Sequence, residues 1–408
     1  MKAEKVLIVG LVWPEPVSSA AGTRMLQLVH TFLDAGYEVV FASAASKSPY
    51  SYPLVELGVR EESIVLNDAS FDRFIAQENP AMVLFDRFMV EEQYGWRVSQ
   101  QCPDALKILD TEDLHFLRQA RQQQVKKGGE LDLYTDTAKR ELAAILRCDL
   151  SLLISELEIA LLTQQFRIDP SILYYLPFLE EQITASEEAS WLPFEERKDF
   201  VFIGNFLHEP NWHAVQRLKS EVWPLLRKLV PTANLHIYGA YASQKVLQLH
   251  NPKERFFIIG RAEDARATVG KYRVLVAPLA FGAGVKGKFI DAMQTGTPAV
   301  TTSIGAEAMR QDLPWNGAVV DDMVEFAEAA ARIYGDGTTD YGSYGKLIIN
   351  SFYTKEVFAK EFIAKLRLLA ANLKVHRQHN FIGQVMQHHT MQSTKYMSLW
   401  IDEKNNNK

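Results

Sequence analysis

The sequence predicts an α/β protein in which two parallel sheets face each other across a cleft. Three observations predict it. Short apolar segments alternate with stretches of helical spacing along the 408 residues, and most of the apolar segments end in glycine, proline, serine or aspartate. The pattern runs twice, interrupted by the acidic, proline-containing stretch 180–196. The second run contains VLVAPLAFGAGVKGKFIDAMQTGTPAVTTSIGAEAM, from Val274 to Met309. That string reads as strand, glycine loop, helix opening and second strand, the way such a sheet presents a phosphate site.

In the first run, Lys5–Val9 is a strand ending at Gly10. Trp13 to Gly22 carries two prolines, two serines and a glycine and is expected to be irregular. A helix then follows over Arg24–Leu33, with Met25, Leu28, Val29 and Phe32 on one face. Val39–Ala42 completes an opening with the outline of a dinucleotide fold, but the G-x-G-x-x-G string is missing, so no nicotinamide or flavin cofactor is expected. The loop after the first strand lies where open sheets bind ligands, and Ser18, Ser19, Gly22 and Arg24 are its candidate anion contacts. Further strands are expected at Met82–Phe85, Leu106–Leu109, Leu150–Ile154 and Tyr174–Leu176. The third strand of the run ends at Asp86, and the fourth feeds Asp110-Thr-Glu112-Asp113-Leu-His115, carboxylates and an imidazole gathered at a strand's C-terminal end. His115 is the candidate reacting group. A metal bridged by Asp110 and Glu112 is discounted because no third ligand is evident. The basic, amide-rich helix Arg118–Lys127 suits solvent and acidic headgroups alike.

The second run opens with Asp199–Ile203 and the turn Gly204-Asn205, followed by a helix from Pro210 through Leu229. Strands at Leu235–Tyr238 and Phe256–Ile259 end in Gly239 and Gly260-Arg261. In the glycine loop, Gly284, Val285, Lys286 and Lys288 lead into a helix from Phe289 to about Gln294, and Asp291 in its first turn is placed to accept from sugar hydroxyls. Lys286 brings full charge to backbone amides and a helix dipole. The resulting division is a first domain over 1–180, a linker over 181–198, a second domain over 199–350, a helix over 351–373 packing back on the first domain, and a tail over 374–408 that is partly without structure. The tail holds His376, His379, His388 and His389; with no cysteine or clustered carboxylate beside them, a metal site is not expected.

Composition fits this outline. Hydrophobic residues make up 47% and charged residues 23%, as in ordinary globular proteins. A net charge of −6 argues against a dedicated nucleic-acid binder. Cys102 and Cys148 are read as core thiols in a reducing compartment. No signal peptide and no membrane-spanning run is apparent, so the expected location is cytoplasmic, with peripheral contact at the inner membrane face left open.

The residues of the second run carry a resemblance. FIGNFLHEPNWHAV, NLHIYG and PLAFGAGVKGKFIDAMQTGTPAVTTSIGAEAM resemble the GT-B glycosyltransferases of the retaining group called glycosyl transferases group 1, or family 4; the first domain is similar in LVWPEPVSSAAGTRMLQLVHTFLDAGYEVV and KILDTEDLHFLRQAR. The resemblance implies two Rossmann-like domains, with a nucleotide-sugar donor held by the second and an acceptor by the first. It implies Gly284, Val285 and Lys286 at the donor diphosphate, Lys288 in support, Asp291 at the ribose, Gly260 and Arg261 beside the base, Gly204 and Asn205 in the facing turn, and Gly22 and Arg24 approaching from the other side. His115 would lie by the transferred sugar, with His115 and Lys286 as the catalytic pair. The implied activity is metal-independent, retaining hexosyl transfer to a glycan, lipid-linked or small-molecule acceptor in polysaccharide biosynthesis. The chain departs from the family at Ala283, where many members have glutamate, and at Asn205 and Asn211, where many have Arg and Lys. Two other readings stay open: a sugar-nucleotide epimerase on the same plan, and a non-catalytic homologue that binds nucleotide and acts through partners.

Overall fold

Strands such as β1 (Lys5–Gly10), buried from Val6 to Gly10, need cover on both faces, and a parallel sheet with helices on each side supplies it. The structure is a computed structural model that describes residues 4–406, the side chains of 389–392 and 406 excepted. The first sheet adds β2 (Glu38–Ser43), β3 (Arg60–Ser63), β4 (Met82–Asp86), β5 (Leu106–Asp110), β6 (Leu150–Leu153) and β7 (Leu173–Tyr175), in the spatial order β3-β2-β1-β4-β5-β6-β7. The second comprises β8 (Lys198–Ile203), β9 (Leu235–Tyr238), β10 (Phe256–Gly260), β11 (Tyr272–Ala277), β12 (Ala299–Thr301) and β13 (Gly317–Val319), ordered β10-β9-β8-β11-β12-β13. Every pairing within the two sheets is parallel. The first sheet reverses its winding between β1 and β4, the second between β8 and β11. Ligands of open α/β sheets bind at the C-terminal ends of such strand pairs.

Alternate residues of the first sheet feed two cores. Leu7, Val9, Val83 and Phe85 join one, and Val6, Ile8, Met82 and Leu84 the other. Both cysteines are buried and free. The helix Lys355–Ala371 returns to the first domain, where Phe362, Ile363, Leu366 and Leu369 enter the second of these cores. The chain crosses between the domains near Glu180 and again near Thr354. The crossings bond to each other: Glu180 N donates to Tyr353 O at 2.7 Å and Lys355 N to Glu180 O at 2.8 Å.

Local readings needed four corrections. The first helix begins at Ala20, inside the stretch expected to be irregular, because Ser19 caps it by accepting from Gly22 N at 3.1 Å. The segment 210–229 is not one regular helix: helices Glu209–Arg217 and Trp223–Leu229 flank a π-helical turn, Leu218–Val222, immediately before Pro224. A proline lacks the N–H that an uninterrupted α-helix requires, and a widened turn absorbs the loss. Strands β3 and β13 carry no apolar alternation and are edge strands, hence invisible to a periodicity test. Finally, the tail is helical, over Leu373–His379 and Phe381–Asn406. Arg377 secures it by donating to both oxygens of Asp149 at 2.8 Å, and His376 Nε2 lies 2.7 Å from Asp149 O. The side chain of His389 and residues 407–408 lie outside the described residues. Among those described, no group of three His, Cys, Asp or Glu is placed to hold a metal, and no helix is long and apolar enough to cross a membrane.

Candidate functional site

The C-terminal edges of the two sheets enclose a cavity of about 910 Å³. Its walls come from the loops after β1, β4, β5, β8 and β11, the strands at both winding reversals among them. Two helix N-termini meet there. A Cβ on Gly287, the first residue of the helix Gly287–Gln294, would lie 2.6 Å from Cβ of Ala20, the first residue of the helix Ala20–Asp34. Only glycine permits this approach, and it brings two positive dipole ends to one space.

Lys286 and Lys288 both line the cavity. Lys286 Nζ donates to Gly284 O at 2.8 Å, and Lys288 Nζ to Asn211 Oδ1 at 2.6 Å. Asn211 in turn donates to Asn205 O at 2.9 Å. Lys288 thus brings its amine to Asn211, the position where the resemblance implies a lysine. Burial lowers Lys286 to about 8 and Lys288 to about 7. A dry lysine regains its proton when an anion arrives. Nucleoside diphosphate binding at pH 8 is therefore expected to take up protons, and affinity to fall as pH rises through 7 to 8 and beyond. Calorimetry in buffers of different ionisation enthalpy checks this; heats independent of buffer would contradict it.

His115 lies on the first-domain wall. Its backbone N–H, with that of Phe116, is capped by Glu141 at 3.1 and 2.9 Å. Burial brings the imidazole down to about 4, so it is neutral near pH 7 despite Asp113 at 3.5 Å from Nε2. A neutral ring there offers a sugar one donor and one acceptor but no charge. Beside it, Arg87 and Glu112, in the loops just after β4 and β5, have φ of 72° and 64°, strained values for residues with a Cβ. Glu112 lines the cavity, its Oε1 is buried without a protein partner, and burial pushes its carboxyl up to about 8.

Gly22, Gly204, Asn205, Val285 and Asp291 also line the cavity. Asp291 is paired with Arg266 (Nε to Oδ1, 3.0 Å), and Arg266 also donates to Glu180 at 2.6 Å. Burial still raises Asp291 to about 6.

Four expected site residues do not face the cavity. Arg24 is 1% exposed and turned inward to Asp110, so it has no charge to offer a ligand. Gly260 ends β10 and Arg261 follows it; β10 is an edge strand two places from the winding reversal. Arg261 instead closes the rim, donating to Ser18 and lying 3.5 Å from the ring centroid of Tyr50. Gly284 has φ 59° and its N–H donates to Glu158 Oε1 at 2.9 Å, on the far side of the loop from the cavity. Sequence reading missed Arg87, Arg118, Glu141, Glu158, His208 and Arg266. Each becomes relevant only through packing between distant segments, even Arg118 and His208, which lie inside the strings KILDTEDLHFLRQAR and FIGNFLHEPNWHAV.

The geometry has counterparts. Residues 197–336 match the family model described as glycosyl transferases group 1. No curated protein sequence matches the chain. Sucrose-phosphate synthase from Thermosynechococcus elongatus has a similar structure, with a TM-score of 0.67 at 16% identity over 90% of this chain and 100% of that one. TarM of S. aureus, solved as a mutant with fondaparinux, alpha-GlcNAc-glycerol and UDP, gives 0.66 at 10% identity over 89% and 99%. HepE of Anabaena with UDP and glucose gives 0.63 at 12% identity over 89% and 99%. At such identities the likeness is one of fold. By the plan of its two sheets the chain has the GT-B fold, and within it residues 197–336 are similar to the glycosyl transferases group 1.

Proposed function

We propose that the protein transfers a sugar from a nucleotide-sugar donor to a glycan, lipid-linked or small-molecule acceptor, with retention and without a metal, working in the cytoplasm or at the inner membrane face. The observation that carries the reading is the meeting of two helix N-termini with Lys286 and Lys288 on one interdomain cavity. Transfer releases a nucleoside diphosphate, so catalysis must stabilise charge developing on that leaving group. Dipole ends, loop amides and two lysines that take up protons as the anion arrives do this from fixed positions. The sugar passes through an oxocarbenium-like state, and the departing phosphate takes the acceptor's proton in a retaining transfer. His115 and Glu112, neutral near pH 7, hold sugar hydroxyls without adding charge. Two of the solved counterparts hold UDP, which makes uridine donors the first to try.

Calorimetric titration with UDP, GDP and ADP, followed by assay of the matching sugar nucleotides with mass-spectrometric product analysis, tests the reading. Binding of one diphosphate and consumption of its sugar nucleotide with transfer is the expected result. Binding without turnover would favour the non-catalytic reading, and conversion of the donor sugar without transfer would favour the epimerase.

A further inference from the structure

The glycine loop does more than border the cavity: its tip enters the first domain. Ala283 is 8% exposed and belongs to the same apolar cluster as Leu114, Phe116 and Leu153 of that domain. A Cβ on Gly284 would lie 3.0 Å from Asp113 Cβ and 3.1 Å from Ile154 Cγ2. Two first-domain side chains hold the inserted tip by its backbone. Glu158, 2% exposed, accepts from Gly284 N at 2.9 Å and from Leu114 N at 3.0 Å through the same oxygen. Arg121 donates to Gly282 O at 2.8 Å and forks onto Glu307 at 2.6 and 2.8 Å. Gly282 and Gly284 flank Ala283, so both ends of the tip are gripped. Val285, Lys286 and the helix N-terminus follow without a break.

We propose that Glu158 and Arg121 are positioning residues: they clasp the glycine loop across the cleft, fix the closure of the two domains, and thereby aim Lys286 and Lys288 at the donor's pyrophosphate. The assignment rests on the reading of the cavity as a donor site. It also accounts for Ala283 in the place of a glutamate. A carboxylate there would enter an apolar pocket beside the buried carboxyl of Glu158, whereas a methyl fits. The grip spans a cleft that a donor has to enter, so it belongs to the closed state and is broken and remade in each cycle.

The test uses the full chain with Glu158→Ala, Arg121→Ala and Glu158→Gln. The Gln side chain keeps a carbonyl oxygen for both N–H groups and serves as the rescue. Arg121 is a partly exposed side chain, so its variant folds even where Glu158→Ala suffers from the unpartnered Leu114 N–H. Small-angle scattering without nucleotide is expected to show a more open average shape for both alanine variants and the original shape for Glu158→Gln. Donor KM is expected to rise about tenfold in the alanine variants, while kcat at saturating donor stays within about twofold. Unchanged scattering in both alanine variants would overturn the clasp. Opening with an unchanged KM would overturn its role in positioning. Failure of UDP, GDP and ADP to bind the unaltered protein is a separate result: it removes the donor reading, and with it the aim of the clasp, while the scattering still decides whether the clasp exists.

Discussion

Arg24→Met is expected to destabilise the first domain by about 3–5 kcal/mol. Arg24 and Asp110 have side chains 1% and 0% exposed, and they pair through Nε at 3.1 and 3.2 Å and Nη2 at 2.9 Å. The remaining nitrogen donates to Leu176 O at 2.9 Å and Pro177 O at 3.2 Å, tying the first helix to the chain's exit from the first sheet. Methionine replaces the volume but leaves Asp110 buried without its counter-charge, beside the carboxyls of Asp86 and Glu112. The double variant Arg24→Met/Asp110→Leu removes both charges and is expected to recover much of the loss. Urea unfolding followed with a probe in the first domain is the measurement, since a two-domain chain does not unfold in one step. A loss below about 1 kcal/mol for the single variant, the scale of an exposed pair, would show that Asp110 is not held as described.

The second large effect is on binding. Lys286→Ala is expected to weaken the nucleoside diphosphate complex by about 1.5–3 kcal/mol, the worth of a hydrogen bond to a charged group, which is roughly tenfold to a hundredfold in Kd. Part of the loss arises indirectly, because the ammonium also braces the loop through Gly284 O. Lys286→Arg separates the two contributions: it keeps charge while altering the brace. Titration of each variant with the diphosphate that binds the unaltered protein is the check, and equal affinities would take Lys286 out of the site.

The two-sheet plan could be read from the chain because its central strands are short, apolar and closed by turn residues. Gly22, Gly204, Val285, Lys286, Lys288, Asp291 and His115 line the cavity as expected because they lie in loops at strand ends or in the opening turns of the helices that follow, where topology directs them there. Arg24 misled for a physical reason. A helix's second turn can face either a loop or the sheet, and only the position of Asp110 on β5 decides between them. Gly284 misled similarly, since the direction of its N–H depends on Glu158, more than a hundred residues earlier. The order of the tail helices was not legible because their anchors, Asp149 and the carbonyls of Pro103, Ala105 and Leu146, belong to the first domain.

The paired crossings at Glu180 and Thr354 have a mechanical meaning. Two lengths of backbone stitched side by side resist shear and splay but still allow bending, so a swing of the halves would run about one line, like covers about a spine. Arg266 and Gln294 both donate to Glu180 at that line, and both lie in the half that holds the lysines. Turning the halves apart would therefore pull on the pocket at its inner end, through Arg266 and Gln294, while the glycine tip leaves the first domain at its outer end.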